Sequence, residues 1–195
     1  MKTVSRAYDS YAQARAAVDA VEKAGVPSSD VSIVANKYVS AEYADVDDVN
    51  KAAAGAGIGG ALGAGAGLLA GLGMLAIPGL GPVVAAGWLA STAAVAAGGA
   101  AAGGIVGALA DAGTDRDHAE VYSEAVRRGG TLVTARVPDG DAARIEAILA
   151  ASSPIDPVAR GAEYRAAGWK SFDPKAPPYR PNQTEIDRMR ANWPG

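Results

Sequence analysis

Between Lys51 and Asp111 lie 59 consecutive residues with no Asp, Glu, Lys or Arg, and 17 of the chain's 25 glycines fall inside that interval. Such a run must be hidden from water, because it has no ionised side chain to hold it in solvent. It divides at Ile77-Pro78-Gly79-Leu80-Gly81-Pro82-Val83, where two prolines and two glycines interrupt any helix. The arms on either side are roughly 25 residues each, enough for a helix to cross the roughly 30 Å of bilayer hydrocarbon. The expectation is a Gly/Ala-rich apolar helical hairpin over 52–110.

Gly55, Gly59, Gly63, Gly67 and Gly71 recur every fourth position in the first arm, as do Gly99, Gly103 and Gly107 in the second. Residues four apart share a helix face, so each set forms one ridge without side chains. Each glycine weakens a helix by about 1 kcal/mol relative to alanine, so five in register need an offset of about 5 kcal/mol. Close backbone approach by another helix supplies it, which makes these eight glycines the candidate helix-packing residues of a glycine zipper. A second reading keeps the hairpin away from lipid. Ala and Gly add little insertion energy, and only Ile58, Leu62, Leu68, Leu69, Leu72, Met74, Leu75 and Ile77 make the first arm lipophilic. In that reading, the apolar hairpins of a soluble oligomer pack against each other.

Composition removes whole classes of chemistry. With no Cys and one His there is no disulfide framework, no thiol nucleophile and no multi-histidine metal site. A net charge of -3 without a basic stripe argues against nucleic acid as partner. Gly55-x-Gly57-x-x-Gly60 matches the dinucleotide fingerprint in letters only, since no strand precedes it and no acidic residue stands about 20 positions on. Asp45-Val-Asp47-Asp48 lacks the Gly and Glu of a calcium loop, and 45–51 reads as a solvated acidic linker. His118, with Asp115 and Asp117 beside it, has no Ser or Cys partner in view and reads as a surface residue. No catalytic residue, cofactor or metal is expected.

The flanks carry a different pattern. Residues 2–8 read as a strand, Ser10-x-x-Gln13 as a capping box, and Ala14, Ala17, Val18 and Val21 as the inner face of a helix stopped by Gly25 and Pro27. Val31 to Val34 reads as a second strand, completing a βαβ unit over 1–44 whose strands should run parallel. After the uncharged run, Thr114-x-x-Asp117 starts a helix that ends at Gly129-Gly130, Thr131–Val137 is a strand, and a last helix covers about Asp141 to Ala151. The fold class expected is α+β: a small split ferredoxin-like βαβ/αβα sandwich with halves 1–44 and 114–152, one strand short unless Lys37 to Tyr43 supplies it.

Tyr11-Ala-Gln-Ala-Arg-Ala-Ala-Val18, Ala24-Gly25-Val26-Pro27, Val31-Ser-Ile-Val-Ala35 and Tyr122-Ser-Glu-Ala-Val-Arg-Arg-Gly129-Gly-Thr-Leu-Val133 carry a resemblance. Over residues 2–137 the chain resembles the YflT-like general (heat-induced) stress protein domain of bacteria, many of whose members carry a Gly-rich apolar segment between two halves. The resemblance implies a non-enzymatic stress-response role and brings no catalytic residue with it.

Residues 153–195 fall outside that likeness. Six of the chain's 11 prolines lie between Pro154 and Pro181, and 184–192 reads as a short capped helix, so the segment is expected to be an extended strap. Trp169, Phe172, Tyr179 and Trp193 either pack back on the domain, the favoured reading, or form a motif for a protein partner. Lys37, Lys51, Arg116, Arg127 and Arg128 all lie on the chain-terminal sides of the hairpin, which puts both termini in the cytoplasm if the hairpin spans a membrane. Met1–Asp9 has no apolar core of a signal peptide. The leading expectation is thus a self-assembling stress protein of the cytoplasmic membrane, with lipid and copies of itself as partners; the alternative is a cytoplasmic, soluble oligomeric small-ligand-binding or scaffold module.

Overall fold

The computed structural model of the chain describes residues 1–36, 73–77, 80–89, 104–176 and 179. Among them are strands β1 (Lys2–Tyr8), β2 (Val31–Asn36), β3 (Gly73–Ile77), β4 (Gly81–Gly87) and β5 (Thr131–Val137) and helices α1 (Tyr11–Lys23), α2 (Gly104–Asp111), α3 (Arg116–Arg127), α4 (Ala142–Ala150) and α5 (Pro157–Ala166), in the chain order β1-α1-β2-β3-β4-α2-α3-β5-α4-α5. The architecture is mixed α+β. All five strands form one sheet in the order β1-β5-β2-β4-β3, with every neighbouring pair antiparallel. β1 and β2 run the same way, as a βαβ unit requires, but they are not neighbours: β5 lies between them and pairs with both.

Local chemistry sets the element boundaries. The Ser10 hydroxyl accepts from the Gln13 amide at 3.2 Å while Gln13 Oε1 takes the Ser10 amide, so the capping box that starts α1 is complete. α3 starts one residue later than its Thr114-x-x-Asp117 signal suggests. Its cap is Asp115, whose Oδ1 accepts from the amides of Asp117 and His118. The Thr114 hydroxyl instead meets that of Ser5, at 3.0 Å, which ties the helix entry to β1. α5 was not expected at all within the strap. Asp156 caps it through the amides of Val158 and Ala159, and Pro157 occupies its first turn, where a missing N–H costs nothing.

The central segment departs furthest from expectation. Residues 73–77 and 81–87, expected to be the inner ends of two helical arms and the break between them, are strands that flank the Pro78-Gly79-Leu80 connection. The physical reason is pairing: β4 lies beside β2 through five register pairs, Ser32↔Gly87 to Asn36↔Val83. A strand covered on both faces reads as an unbroken apolar run, so its sequence shows no period that would separate it from a buried helix. Gly87 makes the approach possible. Its φ is +85°, and a Cβ there would lie 2.0 Å from the Val31 carbonyl oxygen. The transmembrane expectation is corrected too. Among the described residues no helix is long and apolar enough to cross a membrane.

The sheet is covered on both faces. On one, α1 (Tyr11, Ala14, Val18, Val21) and α4 (Ile145, Leu149) pack over Val4, Tyr8, Ile33, Val133 and Ala135. On the other, α2 (Ile105, Leu109) and α3 (Ala119, Tyr122, Val126) pack over Ala7, Val34, Val83, Ala85 and Leu132, together with Leu80 and Leu89. Each fully buried Leu, Ile or Val contributes about 1.5–3 kcal/mol.

The two edges of the sheet differ. The Ile155 amide donates to the Ala7 carbonyl at 2.7 Å, and the Arg6 guanidinium donates to the Ser5 carbonyl at 2.8 Å. The odd residues of β1 thus turn their backbone groups outward, and Arg6 and Ile155 cover two of these carbonyls. Carrying the alternation through the registers, Ser32 and Val34 face β5, Val84 and Ala86 face β2, and Gly73, Leu75 and Ile77 face β4. Met74 and Ala76 are left with their amides and carbonyls on the outer side of β3.

Candidate functional site

The second half of α3 carries Glu124, Arg127 and Arg128 at i, i+3 and i+4, the spacing at which helical side chains meet. Glu124 is 1% exposed, a burial that glutamate tolerates only when paired. Its Oε2 accepts from Arg127 Nε at 2.8 Å, and its Oε1 accepts from Arg127 Nη2 at 2.6 Å and Arg128 Nε at 2.7 Å. The hydrogen bonds to Glu124 raise the pKa of Arg127 against the opposing effect of burial. The same turn reaches β2, where Asn36 Nδ2 donates to the Arg127 carbonyl at 2.9 Å.

Aromatic rings close over this pair. The Arg128 guanidinium lies 4.4 Å from the centre of the Tyr164 ring on α5, and Tyr179 of the tail lies 5.0 Å from Arg127 and 5.3 Å from Arg128. Burial pushes the Tyr164 phenol up, although its hydrogen bond from Arg160 works the other way. Arg160 forms a two-pronged pair with Asp9, at 2.7 and 2.9 Å, and its Nε lies 3.2 Å from Glu163. The bond to Asp9 is the largest cause of its raised pKa. Arg127, Arg128 and Arg160 thus have Glu124, Asp9 and Glu163 against them. The cluster is an internally neutralised clamp that fixes α5 and the tail on α3.

Two shallow clefts adjoin it at the other end of α3 and share Asp115 and His118. The larger, of about 350 Å³, lies between α3 and α5 and is lined also by Asp117, Val121, Val158 and Arg165. The smaller, of about 140 Å³, runs along the edge of β1 between Ser5, Arg6, Thr114, Tyr122 and Glu146. Burial raises the Tyr122 phenol, opposed by Arg6, which hydrogen-bonds it and pairs with Glu146. Tyr8 is also raised by burial, and its hydroxyl donates to the Leu149 carbonyl at 2.8 Å. Both phenols are neutral at pH 7. Among the described residues no three His, Asp or Glu side chains stand together as a metal site would require.

The residues singled out from sequence distribute as follows. Gly107 lies in α2, where an added Cβ would meet nothing within 4 Å among the described residues. Gly55, Gly59, Gly63, Gly67, Gly71, Gly99 and Gly103 lie outside the described residues, as do Trp193, Lys37 to Tyr43 and the acidic linker. Of the tail aromatics, Phe172 packs against the α2–α3 core and its amide reaches Glu120 Oε2 at 3.3 Å. Trp169 meets Tyr164 edge-on at 5.9 Å, and Tyr179 covers the arginine pair. His118 lines both clefts, with Asp115 in both, Asp117 in the larger, and Ser5, Thr114 and Tyr122 in the smaller.

The Glu124 clamp was missed at the sequence level. Its signal, Glu-x-x-Arg-Arg near a helix end, was present but is common on solvated helix faces. Asp156-Pro157 was a readable helix start inside a segment judged extended by its proline content. Compared with family models, with curated proteins and with solved structures, the chain matches none.

Proposed function

We propose that this protein is a non-enzymatic scaffold or binding module that assembles into oligomers through its uncharged centre, the apolar segments of neighbouring copies packing against each other. One observation carries the reading: the middle of the uncharged run is built into the domain's own sheet. Leu80, Val83, Ala85 and Leu89 share a core with α3 and β5, so the turn expected at the far end of a membrane hairpin lies inside the protein. The remainder of the run still needs cover from water, and a second copy offers an equally uncharged surface.

Two finer features belong to the same proposal. β1 and β2 enclose β5, while β4 and β5 enclose β2, an interlocking of two split units that supports a relation to ferredoxin-like sandwiches, extended here by helices on both faces. The resemblance over residues 2–137 supports a protective role in the bacterial stress response. The test is sedimentation velocity on the purified full-length chain, without detergent, over a hundredfold range of concentration. A defined oligomer is expected, and a monomer throughout would overturn the reading.

A further inference from the structure

We infer that the cleft between α3 and α5 is a receptor for a free α-amino acid with an aliphatic side chain, its carboxylate on Arg165, its ammonium on Asp117 and its side chain against Val121 and Val158. The inference rests on the binding-module reading above and gives it a ligand class, whichever way the copies assemble. Each helix supplies one wall: Asp117, His118 and Val121 come from α3, and Val158 and Arg165 from α5. At about 350 Å³ the space stands at the low end of small-molecule sites, roughly 300–1,000 Å³, which selects a small metabolite over a larger ligand.

Arg165 is placed by a glycine. A Cβ at Gly161, one turn earlier on α5, would lie 3.0 Å from Arg165 Nη1 and 3.0 Å from Val121 Cγ2. The missing side chain lets the guanidinium lie back over its own helix and lets α3 and α5 close on each other at Val121. The guanidinium also stands 5.9 Å from the centre of the Trp169 ring, which itself meets Tyr164 edge-on. A guanidinium held on two sides has already given up freedom that binding would otherwise cost, and its planar fork matches a carboxylate.

Arg127, Arg128 and Arg160 close on Glu124, Asp9 and Glu163, whereas among the described residues neither Arg165 nor Asp117 stands in an ion pair. Asp115, the other carboxylate of the α3 wall, is occupied as the helix cap. Asp117 lies one turn before Val121, about 6 Å along the axis, so a cation and an anion flank one apolar floor. That arrangement suits an ammonium and a carboxylate borne on one carbon, each making charge-assisted hydrogen bonds of about 2.7–2.9 Å. Val158, 68% exposed, is the apolar side chain that a bound aliphatic group would cover. A simple anion would meet Asp117 and a simple cation would meet Arg165, so a zwitterion is matched better than either.

The experiment titrates L-leucine into the full-length chain, up to millimolar concentration, and follows the backbone amide signals by NMR. Saturable shifts are expected at Val121, Val158 and Gly161. N-acetylleucine and leucinamide, each lacking one charge, should bind at least about tenfold more weakly, as should leucine to Arg165→Gln and to Asp117→Asn. No shift with leucine overturns the inference, and so does leucine binding unchanged in either variant. Equal binding of N-acetylleucine or of leucinamide overturns the free amino acid in favour of a peptide terminus. The three ligands are compared on the unaltered chain, so they decide the case even where a variant misfolds. Sedimentation of the same samples reports assembly separately: an oligomer blind to leucine overturns the site alone, and a monomer that binds leucine overturns only the oligomeric reading.

Discussion

Replacing Glu124 by Gln tests the clamp that holds the tail on α3, because it keeps shape and volume while removing the charge. The carboxylate accepts three hydrogen bonds from two guanidiniums. Glutamine retains one acceptor and presents an NH₂ group to at least one arginine N–H, so at least one charge-assisted bond becomes a donor facing a donor. Hydrogen bonds to charged groups are worth about 1.5–3 kcal/mol, and breaking a buried ion pair costs about 3–5 kcal/mol. Arg127 and Arg128 are 15% and 24% exposed, so both recover some hydration by turning outward. That places the expected loss at the low end, about 3 kcal/mol. For a chain of this length each kcal/mol moves the melting temperature by about 2–4 °C, so the shift should be about 6–12 °C.

Urea denaturation followed by far-ultraviolet circular dichroism measures the loss. Arg128→Gln and the double variant complete a cycle that isolates the pair from background changes. A coupling below about 0.5 kcal/mol would show that Glu124 and Arg128 do not act together and would refute the clamp.

Other expectations follow from the same contacts. Gly87→Ala combines a positive φ, costing about 1–2 kcal/mol, with a Cβ 2.0 Å from the Val31 carbonyl, so β2 and β4 must separate; an unchanged melting temperature would contradict the register. Asp115→Ala should cost about 1 kcal/mol by removing the α3 cap, with Asp115→Asn restoring most of it; equal losses in both variants would show that the cap is not the cause. Tyr8, Tyr122 and Tyr164 have folded pKa values raised above that of the unfolded chain. Their stabilisation is complete below about pH 10 and falls as the pH rises toward the folded values. Absorbance at 295 nm should show these three phenols ionising together with unfolding, whereas their ionisation in a folded protein near pH 10 would argue against their burial.

Elements whose signals are local can be read from the amino-acid order alone. β1 and β5 lie at 2–8 and 131–137 as read, and α1 starts at its capping box. These features depend on alternation, on hydrogen bonds within three or four residues and on helix stops, all of which are written in neighbouring positions. The uncharged run announced with equal force that the centre must be hidden from water. What hides it was not local. The insertion of β5 between β1 and β2, and the placing of 81–87 beside β2, depend on pairing across more than forty residues, and an apolar run covered on both faces has no period to reveal its partner; 73–77 then pairs only with the neighbouring 81–87.

The candidate site divides the same way. Tail aromatics stood out by composition, but their seats on Arg127, Arg128 and Tyr164 exist only because Asp156 and Pro157 start α5 and bring it across α3. Burial of Glu124 likewise follows from what packs over α3, not from the residue type. Local hydrogen bonding and solvent avoidance are properties of the chain, whereas strand order, edge exposure and the burial of a charge arise only once distant segments are pressed together.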